Sequence, residues 1–482
     1  MTMLSRLAGD LVPDAASADL TREIAAHVAA VATAPLAVAD VEAARRLLLD
    51  NFIVSLWGAT RPWSREIAQW TKRFAGTGRS PVLGGNWSTE PSVAALVHGT
   101  AAHSYELDDT HDETLSHPGS AVIAAALAVA AELDASQADL LRAVVAGYEA
   151  MALVGSAAGG LETVHRGFHP TSVFGSFGAA TACLCLNASA SGNAVGVEGL
   201  VAAWAHALSQ ACGAMQFSAE PSGGEVKRVH AGFGARNGVL ADEFARMPSV
   251  TAPHRPVEGT YGLAAIFGGP LRSVKPAERL QIHNISFKPY ACCRLFHSTI
   301  DALEEITQGF RTPLSDIAEI VVSGPQLIAD QHMLQHPRSA MAAQYSCPYI
   351  VGATLAYGPY RYDAYGDAFL DDPAIASLAV KVRFELSEEL TKKYYPTRFA
   401  TGVRMRFTDG GTRETVVVDS VGTPRRPLST AQIIAKSKGM SLGEGPSIGE
   451  RLADIIWNDR SSARDLAEAL VHTHGSPFLE TS

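Results

Sequence analysis

Between Leu20 and about Leu280 the apolar positions fall into Ala-rich blocks at 41–55, 91–107, 121–133, 138–157 and 197–210, spaced as on buried helices. Strand-like runs are scarce in this stretch. Small residues recur within the blocks, among them Gly175, Gly178, Ala179 and Ala182, which suits helices that approach closely in a large bundle. The N-terminal part is therefore expected to be all-helical.

After Lys288 the texture changes. Residues 317–323, 379–386 and 403–408 alternate apolar and polar positions and are rich in Val and Ile, the pattern of half-buried strands. Asp409-Gly410-Gly411-Thr412 separates 403–408 from 414–419, and glycines that tolerate positive φ there predict a hairpin. Pro424 and Pro427 close the segment, and helical patterning returns at 430–438 and 448–472, expected to rejoin the first unit. The chain reads as mainly α: a large all-helical domain built from both chain ends (1–283 and 425–482) plus an inserted smaller α+β lid domain (284–424). A cleft between two such units is a preferred place for a small ligand.

Composition narrows the function class. A chain of 482 residues exceeds the size at which one core keeps growing, and 47% apolar with 18% charged residues argues for a packed enzyme-sized protein. Residues 1–19 show no basic stretch followed by an apolar run, so no export or transit signal is expected, and disorder is expected only at the termini. The longest uninterrupted apolar block, 121–131, falls short of a membrane span. The expectation is a soluble, cytoplasmic protein with no membrane partner. The six cysteines lack CxxC pairs and read as reduced thiols. A formal net charge of −10 gives no general attraction for nucleic acid, so an anionic ligand would need a local cationic pocket.

The densest polar cluster is Glu106-Leu107-Asp108-Asp109-Thr110-His111-Asp112, followed by Ser116-His117-Pro118 and an apolar helix. Pro at the first helical position places His117 at the cap, where the helix dipole disfavours an imidazolium and welcomes an anion. The arrangement recurs at Gly167-Phe168-His169-Pro170, before a helix beginning near Val173. A single capping histidine is more often structural, but the recurrence makes both candidates. Lys227, Arg228 and His230 follow the glycine pair Gly223-Gly224, and read equally as a ligand-binding element or a solvated basic turn. Lys288 lies between Phe287 and Pro289, where partial burial would lower its pKa toward that of a base, unless it snorkels to water. Tyr345 reads alone as a core tyrosine.

Adjacent Asp108, Asp109, His111 and Asp112 point in different directions on a turn and lack EF-hand or HExxH spacing, so no metal site is expected. No Walker A loop, strand-associated GxGxxG or GxSxG elbow is present, which sets aside nucleotide cofactors and serine hydrolysis.

The blocks 106–119, 167–172, 227–238 and 287–297, with Gly147-Tyr148-Glu149 and Gln344-Tyr345-Ser346, resemble in order the motifs of the MmgE/PrpD superfamily. That family includes 2-methylcitrate dehydratase, cis-aconitate decarboxylase and an iminodisuccinate epimerase. The resemblance implies a homodimer that acts on a small anionic carboxylate without metal or organic cofactor. It also implies active-site positions for His117, His169, Lys227, Lys288 and Tyr345, with Glu106, Thr110, His230 and Cys293 in substrate binding. Glu106 and Cys293 stand where the decarboxylase carries an aspartate and a histidine, and on these departures dehydration ranks first, decarboxylation second and epimerisation third. The lysines would clamp carboxylates, one histidine would move a carbon proton, and Tyr345 or the other histidine would act as acid. A non-catalytic polycarboxylate-binding protein is the alternative from another class.

Overall fold

The computed structural model describes residues 19–219, 223–440 and 448–472. The expectations of a leaderless N-terminus and disordered ends fall largely on residues 1–18 and 473–482, outside the described residues.

The helical part comprises α1 (Leu20–Thr33), α2 (Val38–Ala59), α3 (Pro91–Ala102), α4 (Pro118–Leu133), α5 (Gln137–Ala158), α6 (Pro170–Ala190), α7 (Val197–Gln210) and α8 (Val226–Ala245). Proline opens α3, α4 and α6, where its missing N–H costs nothing and its fixed φ suits the first turn. Ser136 caps α5 by accepting from the Asp139 amide. Helices α4 and α6 are apolar on nearly every side and are accordingly enclosed, with α3, α5 and α8 packed around them. Glycine permits these crossings: a Cβ on Gly99 would meet the Gly232 Cα at 2.8 Å, and one on Gly232 would meet the Leu96 carbonyl oxygen at 2.5 Å.

Two features depart from the pattern read along the chain. The block 91–107 is helical only to Ala102: His103 already leaves the helical region at φ −88 and ψ 7, and the loop then turns through Glu106 at φ 55. Helices α5 and α6 are also long and apolar enough to cross a membrane, a property the uninterrupted-run criterion misses because small polar residues punctuate them. Both lie within the bundle, most of their length covered by other helices.

The inserted part contains α9 (His297–Ile306), β1 (Ile317–Gly324), α10 (Cys347–Tyr357), α11 (Pro373–Ala379), β2 (Val382–Leu386), β3 (Thr401–Phe407) and β4 (Thr412–Val417). Its sheet runs β2-β1-β3-β4, with β1 and β2 parallel and the other pairs antiparallel. Ile320 stands opposite Val382 and Met405, and Val403 opposite Thr415. Helix α9 packs on β3 and β4, and α10 on β2. The hairpin at Asp409-Gly410-Gly411 joins β3 and β4, with Gly410 at φ 87. The expected strand 379–386 begins only at Val382. Asp372 caps a helix through Ala379 whose buried Ile375, Leu378 and Ala379 follow helical spacing.

The tail returns to the bundle as α12 (Thr430–Gly439), α13 (Ile448–Ile456) and α14 (Ala463–His472), so the pattern 448–472 is two helices rather than one. Lys436 on α12 pairs with buried Asp50 of α2 and donates to the Leu107 carbonyl at 3.1 Å. The Gln137 side chain donates to the Ile456 carbonyl at 2.8 Å. The fold is thus mainly α, with one helical body from both chain ends and an inserted α+β part.

Candidate active site

The loop from His103 to His117 and the starts of α6 and α8 converge where the inserted part joins the bundle. A two-residue antiparallel ladder, Thr110 opposite Ser286 and His111 opposite Ile285, ties that loop to the segment carrying Lys288.

Glu106 is the hub. Its Oε1 accepts from Lys227 Nζ and from Arg228 Nη1 at 3.0 Å, and its Oε2 from Lys288 Nζ at 3.3 Å and the Tyr345 hydroxyl at 3.4 Å. Lys227, Arg228 and Lys288 are buried, so the basic pair after Gly223-Gly224 lies on the enclosed first turn of α8, not on a solvated turn. Burial alone would raise the Glu106 carboxyl, but Lys227, Lys288 and Arg228 hold it well below its ordinary value. Burial lowers Lys227, aided by the neighbouring cations Arg228 and Lys288. Lys288 goes the other way: burial pulls it down, but Glu106 and Asp108 together hold it above its ordinary value. The expectation that Lys288 is a weakened base is therefore corrected. It is a retained ammonium because two carboxylates face it, Asp108 Oδ1 at 3.6 Å.

Beside this charged group lie His103, His117, His169 and His230. The ring centroids of His103 and His117 are 5.0 Å apart, those of His103 and His169 5.4 Å, and those of His169 and His230 5.3 Å. His117 and His169 occupy the helix caps the sequence predicts, but neither side chain caps its helix. His117 Nδ1 donates to the Asp109 carbonyl at 2.8 Å, with Thr110 Oγ1 at 3.2 Å. His169 Nδ1 and His230 Nδ1 are 3.2 Å apart, a contact that requires a lone pair on one side. Burial is the first cause that holds each ring below its ordinary value: His117 is lowered to about 3 and His230 to about 4, His169 falls well below, and His103 is lowered with Asp108 acting against the shift. Tyr345 is pushed well above the usual phenol range, chiefly by burial and then by Glu106, so its hydroxyl keeps its proton.

The acidic run is distributed to separate partners. Asp108 Oδ2 meets His103 Nδ1 and the Ser120 hydroxyl, each at 2.6 Å. Asp109 accepts from Tyr148 at 2.6 Å and from the Gly119 amide at 2.9 Å. His111 contacts Thr114, and Asp112 accepts from Ser286. Cys293 is near enough to Glu106 and Lys288 for their charges to act on its thiol, which burial pushes up to about 11. A cleft of about 380 Å³ opens beside Tyr345 and Phe217, and the Phe217 ring lies 5.9 Å from that of His169.

Comparison with known proteins decides the lineage. The MmgE/PrpD N-terminal domain model matches residues 22–272, and the MmgE/PrpD C-terminal domain model residues 290–456. This chain belongs to the MmgE/PrpD family. It is 32% identical to the cis-aconitate decarboxylase-like protein oryM of Aspergillus oryzae over 86% of this chain and 89% of that protein. It is 29% identical to the cis-aconitate decarboxylase of Aspergillus terreus over 88% of this chain and 90% of that protein. The human cis-aconitate decarboxylase is 24% identical over 82% of each.

In this MmgE/PrpD chain, all nine residues named from sequence fall in one neighbourhood: Glu106, Thr110, His117, His169, Lys227, His230, Lys288, Cys293 and Tyr345. Two further members are not assigned to the site from sequence: His103, which is not singled out, and Arg228, which is named only with its basic neighbour. His103 follows α3 with only a five-residue separation from Asp108 to mark it, and Arg228 reads as half of an ordinary basic pair. Their burial against carboxylates is what reveals them.

Proposed function

We propose that this protein is a carboxy-lyase that releases carbon dioxide from cis-aconitate or a close unsaturated tricarboxylate. The observation carrying this is the set of buried Lys227, Arg228 and Lys288 around one protein carboxylate, flanked by neutral histidines. Such cations bind substrate carboxylates and stabilise the charge that develops on one of them. Cleavage of the bond from the methylene carbon to its carboxylate leaves an electron pair that moves through the double bond. A dienolate results, its charge resting on a carboxylate held by the lysines. One proton then adds to carbon from the histidine group, giving an unsaturated dicarboxylate and carbon dioxide. The names of the relatives favour this order over the one suggested by the Glu106 and Cys293 departures.

A second reading is dehydration of a 2-methylcitrate-like hydroxy acid. It is favoured by the Tyr345 hydroxyl, which keeps its proton and lies at the cationic hub, where it would protonate a departing hydroxide.

Proton NMR in deuterated water separates the readings, with cis-aconitate, citrate, 2-methylcitrate and iminodisuccinate supplied singly. Itaconate signals from cis-aconitate support decarboxylation, and an olefinic signal growing from a hydroxy acid supports dehydration. Deuterium exchange without a new skeleton indicates epimerisation. Silence with every substrate, from folded protein, refutes both readings. His169→Ala is expected to lose turnover by at least a hundredfold, whereas a purely binding protein would show no turnover to lose.

A further inference from the structure

We propose that His103, held by Asp108, supplies the proton that the reaction adds to carbon. The inference rests on the decarboxylase reading above.

Adding a proton to a dienolate requires a group that can store one, and a neutral imidazole stores none to spare. An imidazolium in a buried site needs a carboxylate at hydrogen-bond distance. The histidines of the cluster differ on this point. His117 commits Nδ1–H to the Asp109 carbonyl and stands 3.8 Å from Asp108, with Lys288 opposing a positive charge on it. His169 and His230 face each other through Nδ1 atoms, which excludes protons on both at that contact. His103 alone among these four has a carboxylate in direct contact, Asp108 Oδ2 at 2.6 Å from Nδ1.

Asp108 is itself fixed. Ser120 donates to the same oxygen at 2.6 Å, and Lys288 lies 3.6 Å from the other. This holds the Nδ1–H form of His103 and leaves Nε2 as the variable atom. That atom is buried and has no hydrogen-bond partner, a costly state for a polar atom unless something occupies it during turnover. Complete enclosure does not set His103 apart, because Lys227 and Lys288 are equally buried.

Burial weighs most on the ring and holds it below its ordinary value in the free protein; Asp108 and Glu106 favour its charged form, and Lys227 opposes it. A substrate carboxylate on Lys227 offsets that opposition. In the step, the C–H bond forms as the Nε2–H bond breaks. His103 is left neutral, and a solvent proton restores it as carbon dioxide departs.

The test uses the full-length protein and the variants His103→Asn and His103→Gln, the first keeping a donor near Asp108. Three readouts are needed: kcat and KM on cis-aconitate, melting temperature, and the rate at which itaconate exchanges its carbon-bound methylene protons in deuterated water. Exchange reports proton transfer without loss of carbon dioxide. In a variant that melts with the wild type, kcat is expected to fall by roughly 10²–10⁴-fold, with KM within about threefold and exchange lost in parallel. A fall below tenfold, a loss confined to KM, or undiminished exchange would overturn the assignment. Failure of both variants to fold would make His103 structural and overturn it equally. If wild-type protein yields no itaconate, it is the decarboxylase reading that has failed.

Discussion

Glu106 accepts from Lys227, Arg228, Lys288 and Tyr345 while its own backbone lies in the left-handed region at φ 55. A residue with a Cβ held there costs on the order of 1–3 kcal/mol and persists only where its surroundings enforce it. Its carboxylate offsets cations that would otherwise keep only Glu225, 3.1 Å from Arg228, and Asp108, 3.6 Å from Lys288, as counter-charges. Replacing it with Gln, which keeps the shape and removes the charge, is expected to destabilise the fold by about 3–5 kcal/mol, read by denaturant unfolding. Citrate should raise the melting temperature of Glu106→Gln more than that of the wild type, because an added anion replaces the missing charge. A loss below about 1 kcal/mol would mean that the cations do not depend on Glu106.

At the scale of elements, the site depends on how closely α3 and α8 cross. Gly99 and Gly232 meet backbone to backbone, and this approach carries Lys227, Arg228 and His230 toward the loop that follows α3. Gly232→Ala places a Cβ 2.5 Å from both the Leu96 carbonyl oxygen and Thr100 Oγ1, so the helices must separate. Overpacking of this kind typically costs 1–3 kcal/mol, about the range expected here. Turnover should fall more than stability predicts, because α8 carries the cations away from Glu106. Measuring kcat well below the variant's melting temperature separates the effects, and full turnover there would show that the site tolerates the shift.

Across the whole molecule, buried histidines set the acid response. His98, His230 and His332 are lowered to about 4 and His117 to about 3, each chiefly by burial, from an ordinary 6.5. The unfolded chain takes up these protons below about 6.5 while the folded chain refuses them until near 4. Their contribution is therefore complete above 6.5 and lost as pH falls. Asp109, raised to about 7, and Asp242, raised to about 6, act in the opposite sense, adding stability at low pH and losing it as pH rises. His103, His111, His169 and His297 are lowered as well, and Asp50, Glu243 and Asp301 raised, so among the described residues the lowered histidines outnumber the raised carboxyls and leave a net loss on acidification, each uncompensated proton contributing about 1.4 kcal/mol per pH unit. Urea midpoints should fall from pH 6.5 to pH 5, and His98→Gln should flatten the slope. Constant stability across that range would contradict the assignment.

Much of this architecture is local and was legible in the sequence. Proline at a first helical position fixes where α4 and α6 begin, and therefore where His117 and His169 stand. Side-chain alternation and the Asp-Gly-Gly turn fix the β3–β4 hairpin. The charge arrangement of the site is not local. Glu106 meets Lys227, Arg228 and Lys288 from 121, 122 and 182 residues away. Periodicity and capping depend on neighbours within a few residues, whereas the state of a buried ion depends on which distant charges share its low-dielectric surroundings. For that reason the sequence alone named the lysines and histidines. Only the tertiary structure decided that Lys288 keeps its proton, that Lys227 and Arg228 are enclosed, and that His103 stands on Asp108.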